Sequence, residues 1–219
     1  MLNPNSINQK HTRGRFITFE GIDGAGKSSH IEPLAEALRS VGLEVVLTRE
    51  PGGTELGEKL RKILLADAMD PLTEAMLMFA ARNEHIKRVI EPALARGSIV
   101  ICDRFNDSTF AYQGSAMGHS MDDLRALERL AGNLTPDMTL FFDLDPIEAA
   151  KRRSLGRTVQ DKFEINDVAF FERVRCGYQM RVKSQPWRFT TIDASRPIEE
   201  VRKAVLCAES LLSCFLVEA

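Results

Sequence analysis

The sequence predicts an α/β sandwich built on a mostly parallel sheet. Two observations predict it. Five short β-rich runs alternate along the chain with longer segments of helical period. Several of the runs are apolar almost throughout, as strands covered on both faces are. Such sheets bind ligands outside the carboxyl ends of their strands. The residues that follow each strand therefore carry the functional reading.

The first strand is read at Phe16–Glu20. GIDGAGKS follows it at residues 21–28 and fits G-x-x-x-x-G-K-[ST] between a strand and a helix, the context of a phosphate-binding P-loop. The expected architecture is therefore a P-loop NTPase-type three-layer sandwich. Backbone N–H groups across Gly21, Ile22, Asp23, Gly24, Ala25, Gly26, Lys27, Ser28 and Ser29 form the candidate cradle for ATP phosphates. Lys27 can bridge the β- and γ-phosphates, and Ser28 can ligate Mg²⁺. Asp23 would repel a nearby anion. It reads either as a solvated loop carboxylate or as an acceptor for a sugar hydroxyl. The helix Ser28–Ser40 stops before Gly42. His30 reads as a helix-surface residue, and Pro33 predicts a local kink.

The second strand, Glu44–Thr48, runs into Arg49-Glu50-Pro51-Gly52-Gly53. An arginine there either grips a phosphate with two parallel hydrogen bonds or decorates a surface turn. Helices are read at Glu55–Leu65 and over Leu72–Ala95, the latter interrupted at Pro92. Phe79 and Arg82 lie three apart on the second of these. They suit a base by stacking and by donation to a carbonyl, but core packing explains Phe79 equally. The third strand, Ile99–Cys102, ends in Asp103-Arg104. Asp103 has the position and chemistry of a Walker-B aspartate, with a structural ion pair as the other reading. A helix is read at Asp122–Ala131, and the fourth strand at Thr139–Leu144. Asp145 before Pro146 is read as a helix N-cap. Lys151, Arg152, Arg153, Arg157 and Lys162 make a basic segment, read as a lid over ATP at about residues 152–165 or as a solvated helix face. Helices at Asp167–Lys183 and Ile198–Leu212 and a fifth strand at Phe189–Ile192 complete the chain, with Asp193 starting a turn.

The chain has 219 residues, 44% of them apolar, which suits one domain at residues 15–219. Met1–Gly14 is polar, lacks the apolar centre of a signal peptide and is expected to be a disordered extension. Lysine and arginine number 29 against 31 acidic residues, a balance that argues against a nucleic-acid partner but not against a local pocket for a small polyanion. No apolar run approaches the ~20 residues of a membrane span. Cys102, Cys176, Cys207 and Cys214 form no C-x-x-C pair and read as free thiols of a reducing cytoplasm.

FEGIDGAGKS, TREPGGT, LMFAAR, DRFNDSTFAYQG and PDMTLFFDLDP together, in that order, resemble thymidylate kinases of the bacterial type over roughly residues 15–215. The resemblance implies a five-stranded parallel sheet flanked by helices with a small lid, and a homodimer. It implies ATP-dependent phosphorylation of dTMP to dTDP with Mg²⁺. Asp23 would bind the 3′-hydroxyl of the dTMP sugar, and Arg49 and Arg104 its phosphate. Phe79 would stack on thymine and Arg82 would donate to O4. Ser108, Thr109 and Gln113 would line or touch the base, and Tyr112 would crowd a ribose 2′-hydroxyl. Asp103 would support Mg²⁺ through water. Some members carry a catalytic arginine inside the P-loop, where this sequence has Ala25. Arg153 and Arg157 match the lid that supplies it instead, and join Lys27 and Arg104 as the candidate catalytic residues. Asp161-Lys162-Phe163-Glu164 departs from the usual pattern by lysine in place of arginine. The alternatives are a kinase for another nucleoside monophosphate and a nucleotide-binding switch without phosphoryl transfer.

Overall fold

The computed structural model describes residues 13–154 and 167–216, with side chains described through residue 208. Five parallel strands form one sheet: β1 Phe16–Glu20, β2 Val45–Arg49, β3 Ile99–Asp103, β4 Met138–Asp143 and β5 Phe189–Asp193, in the order β2-β3-β1-β4-β5. The three-layer reading holds: β1 has its expected bounds, β3 and β5 each run one residue further, and β2 and β4 are each shifted by one residue. β1 lies at the centre, with Phe19 opposite Asp103 on one side and Leu140 on the other. The P-loop, Arg104 and the start of the segment after β4 therefore leave the sheet side by side.

The pleat explains why these strands are apolar throughout. Ile99 and Ile101 pack into one core with Ile17, Phe19 and the α1 residues Leu34 and Leu38, α1 being Ser28–Ser40. Val100 and Cys102 face the opposite way, into a cluster with Phe16, Ile86, Ile90 and Phe105. Thr18 and Glu20 share Phe16's face by alternation and are fully buried. They must therefore find polar partners. Thr18 Oγ1 meets Thr139 Oγ1 at 2.8 Å, and Glu20 is taken up below.

Caps mark most helix starts. Thr54 caps α2 (Glu55–Ala66), Asp70 caps α3 (Pro71–His85) with Pro71 in the first turn, and Ser120 caps α6 (Met121–Leu130). Asp145 Oδ1 accepts the Ile147 N–H at 2.9 Å at the start of α7 (Pro146–Ser154), as its place before proline predicted. Asp167 caps α8 (Val168–Ser184). α9 is Ile198–Leu216. By contrast α1 has no side-chain cap and no acidic residue in its first turn, which leaves its N-terminus free for an anion.

α1 stays one helix across Pro33. Other local expectations change. His30 is not a surface residue: it is buried and stacks on Phe142 at 5.7 Å, because β4 and α9 cover that side of α1. Burial, aided by the charge of Arg202, holds its imidazole below the ordinary range. The break near Pro92 also differs. The chain stays helical from α3 through a wide π turn at Ile86–Ile90 into α4 (Glu91–Ala95), and Glu91 N–H reaches back to the Ile86 carbonyl. A proline ring crowds the carbonyl four residues earlier, and the wider turn relieves that clash without ending the helix. Asn106–Ala116 has no helical period in the sequence, yet it forms α5 (Asn106–Thr109) and a second π turn, Phe110–Ala116, packed against α8. Arg13 and Gly14 belong to the folded body. Arg13 pairs with Asp137 at 2.9 Å, and Gly14 N–H bonds the Leu94 carbonyl at 2.8 Å. The rest of the expected extension, residues 1–12, lies outside the described residues.

Candidate active site

A cleft of about 520 Å³ opens at the carboxyl ends of β1, β2 and β3. Lys27, Arg49, Arg61, Arg82, Arg104, Arg152 and Arg153 line it against only Asp23, Glu50 and Asp103. The chain is nearly charge-balanced, but its cleft is strongly cationic and suits polyanions.

On the phosphate-loop side, Gly24 has φ 90°, and a Cβ there would stand 2.6 Å from the Ala149 carbonyl and 3.2 Å from Arg153 Cγ. Only glycine allows the loop and the last turn of α7 to approach this closely. Lys27 Nζ folds back on the Gly21 and Ile22 carbonyls at 2.9 and 3.2 Å. Burial and the neighbouring Arg104 charge lower its ammonium to about 8, against the pull of Asp103, Asp23 and Glu20. Ser28 and Ser29 are exposed in the cleft, while Ile22 and Ala25 turn their side chains into the core and offer only backbone. Asp103 Oδ1 is buried and has no partner among the described residues. An orphaned hard oxygen beside the serine of a P-loop fits Mg²⁺, which takes one or two protein oxygens and fills its shell with phosphates and water.

The opposite side is built from buried ion pairs. Arg82 Nε donates to Glu50 Oε2 at 2.7 Å and Nη2 to Thr109 Oγ1 at 3.0 Å, while Nη1 is buried without a partner. Glu50 also bonds His85 Nδ1 at 2.9 Å, and His85 Nε2 meets Thr48 Oγ1 at 2.6 Å. Gln113 Nε2 donates to buried Glu74 at 2.7 Å. A carboxylate only accepts, so the Gln113 amide must give it the NH₂ and keep its own carbonyl for another donor.

Arg104 is the hub between the two sides. Nη2 pairs with Asp23 Oδ1 at 2.6 Å, and the Tyr112 hydroxyl donates to Asp23 Oδ2 at 3.0 Å. Burial raises the Asp23 carboxyl, but Arg104 and Lys27 pull harder and bring it to about 2. Burial pushes the Tyr112 phenol well up, so it stays a neutral donor.

Comparison with known proteins places the chain in one family. The thymidylate kinase family model matches residues 19–205. The chain belongs to the thymidylate kinase family. It is 55% identical over 195 residues to a thymidylate kinase of Methylobacillus flagellatus, covering 89% of this chain and 96% of that one. It is 58% identical to one of Cupriavidus metallidurans, over 88% and 96% of the two chains. The crystal structure of thymidylate kinase from Ehrlichia chaffeensis superposes with a TM-score of 0.73 at 37% identity, covering 90% of this chain and 98% of that one. The family resemblance carried by the sequence motifs is thereby borne out.

Within this thymidylate kinase fold, the cleft brings together Asp23, Lys27, Ser28, Arg49, Arg82, Asp103, Arg104, Ser108, Thr109, Tyr112, Gln113 and Arg153 as expected. Phe79 is different. Its ring is buried behind the cleft with Ala75, Phe110 and Leu124 and carries the Arg82 guanidinium at 4.7 Å, because α3 turns that face onto α6. Arg153 Nη1 donates to the Asp23 carbonyl at 2.7 Å, and its guanidinium lies 4.1 Å over the Phe171 ring. Arg157, Lys162 and most of the expected lid fall in residues 155–166, outside the described residues. Arg152, Arg61, Met78, Glu50 and Pro51 also line the cleft and were not singled out as site residues in the sequence. The buried carboxylates Glu20, Glu50 and Glu74 were missed as well. Each is acidic in a segment that must be buried, and that conflict was the available signal.

Proposed function

We propose that this chain transfers the γ-phosphoryl group of ATP to dTMP, giving ADP and dTDP. One observation carries the reading. A P-loop with a cationic lysine shares its cleft with an arginine, Arg82, whose Nε is held by the Glu50 carboxylate and whose buried Nη1 has no partner among the described residues. Thymine offers an acceptor at O4 and a donor at N3. Arg82 Nη1 supplies the matching donor, and the Gln113 carbonyl supplies the matching acceptor. Cytosine reverses both and is disfavoured at each position.

In this reading Lys27 and the Gly21–Ser29 backbone hold ATP, and Ser28 and Asp103 hold Mg²⁺, which screens the phosphates. Arg49 and Arg104 hold the dTMP phosphate. Asp23 keeps lone pairs for the sugar 3′-hydroxyl, and Tyr112 crowds the 2′ position. A dTMP phosphate oxygen attacks Pγ, and the bond from Pγ to the β-bridging oxygen breaks as ADP leaves. No side chain needs to become covalent, because the work is positioning two anions and screening their repulsion. Arg153 and Arg157 supply charge to the transferring group.

Phe79 supports the base site through Arg82. A homodimer is supported by the half-exposed apolar side chains Leu56, Ile63, Leu72 and Met76 on the adjacent helices α2 and α3. A cytoplasmic setting is supported by the free thiols Cys102 and Cys176. Among the described residues no helix is long and apolar enough to cross a membrane.

A panel of dTMP, dUMP, dCMP, dAMP and UMP in a coupled ADP-release assay tests the reading. dTMP is expected to be the best acceptor. ADP release indifferent to every monophosphate would point to a nucleotide switch, and a different best acceptor would sink the base-site assignment.

A further inference from the structure

Arg104 has φ 69°, a left-handed backbone that residues with a Cβ rarely adopt. The surroundings must therefore impose it. Its Nη1 donates to the Gly21 carbonyl at 3.0 Å, to Ser108 Oγ at 3.1 Å and to the Tyr178 hydroxyl at 3.1 Å. Behind those two hydroxyls sits Glu20, the last residue of β1, fully buried. Glu20 Oε2 accepts from Ser108 Oγ at 2.6 Å and from the Tyr178 hydroxyl at 3.0 Å. Glu20 Oε1 accepts the backbone N–H of Phe105, the residue after Arg104, at 2.7 Å. A hydroxyl has one proton. Where the carboxylate draws those protons, the oxygen lone pairs are left facing the guanidinium.

We propose that Glu20 is a positioning residue for the phosphate-binding Arg104, orienting the Ser108 and Tyr178 hydroxyls as its acceptors and pinning the backbone at Phe105. The inference rests on the dTMP-kinase reading of the cleft. Glu20 touches neither substrate and acts through the arginine. Its carboxylate is the only isostere that serves all three donors. In Glu20→Gln, one amide orientation drives its NH₂ at the Phe105 N–H. The other drives it at the two hydroxyl oxygens and turns their protons toward the Arg104 cation.

Steady-state kinetics of Glu20→Gln test this. Hydrogen bonds to charged groups imply a rise of about tenfold or more in KM for dTMP. KM for ATP should stay within about twofold, because the P-loop is untouched. Burial pushes the Glu20 carboxyl up to about 7, so above that pH the melting temperature should be no lower than wild type, since a buried charge has been removed. An unchanged KM for dTMP overturns the proposal. So does a parallel rise of both KM values with a fall in the melting temperature, the pattern of general structural damage. If Glu20→Gln does not fold, Tyr178→Phe removes one intermediary and should raise KM for dTMP severalfold; no change there also overturns it. Wild type run alongside tests the acceptor assignment separately. If it prefers another monophosphate, the dTMP reading falls and the same arginine test is read on that acceptor's KM.

Discussion

The phosphate-loop side of the cleft is made mostly from one continuous stretch of chain, with Asp103 added from the end of β3, and these groups stand open: the uncapped start of α1, exposed Ser28 and the orphaned Asp103 oxygen. The acceptor side is made from four distant segments, and each of its reading groups arrives already bonded to a carboxylate: Arg82 to buried Glu50, Gln113 to buried Glu74, Arg104 to half-buried Asp23. The difference follows from what each must recognise. Phosphates are multiply charged, and backbone N–H groups with a lysine serve them in many geometries. A neutral base is distinguished only by donor and acceptor positions, so its partners must be fixed before it arrives.

The largest effect should come from breaking that fixing. Arg82 and Glu50 are 3% and 4% exposed, and Glu50→Ala leaves the guanidinium buried without its counter-charge. Removing one member of a buried pair costs about 3–5 kcal/mol. Urea unfolding is expected to register that loss, together with collapse of dTMP turnover. A variant as stable as wild type would mean that Thr109 alone can hold Arg82, and that the carboxylate is dispensable.

Next comes Arg104→Ala, which removes the hub but leaves the rest of the cleft paired. Turnover of dTMP should fall on the order of a hundredfold or more, with the fold intact by circular dichroism. Most of the change should be specific to dTMP, with ATP KM moving less. Equal damage to both substrates would show that the cleft is not divided as described.

The same division decided what the sequence could reveal. GIDGAGKS is contiguous, and its chemistry follows from its spacing, so Lys27, Ser28 and the loop were legible. Asp103 and Arg104 were legible because strand ends point at the ligand in a parallel sheet. Asp145 was legible from the proline after it. Glu20 was not, because its partners Ser108 and Tyr178 lie 88 and 158 positions away. Glu74 was not legible either, because only the π turn that carries Gln113 brings the two together. His30 looked exposed because its own helix is amphipathic, and its burial comes from β4 and α9. Local pattern reports what one segment needs; it does not report which distant segment supplies it.

The smallest expected effect tests whether the rule of pre-bonding extends to the rim. Arg49 pairs with Glu58 at 2.9 Å, but the two side chains are 54% and 41% exposed. Exposed pairs contribute about 0–1 kcal/mol, so Glu58→Gln should change stability by less than about 1 kcal/mol. The amide oxygen can still accept the Gly53 N–H that Glu58 Oε1 takes at 3.1 Å, so the turn should survive. What changes is competition for Arg49. A carboxylate beside it neutralises charge that the dTMP phosphate would otherwise use. Removing it should lower KM for dTMP by about twofold at low salt, and the gain should fade as the screening length shortens toward ~8 Å at physiological ionic strength. A rise in KM would mean that Glu58 orients Arg49 as Glu50 orients Arg82. The acceptor side would then be pre-bonded from core to rim, and solvent exposure would not mark where that design stops.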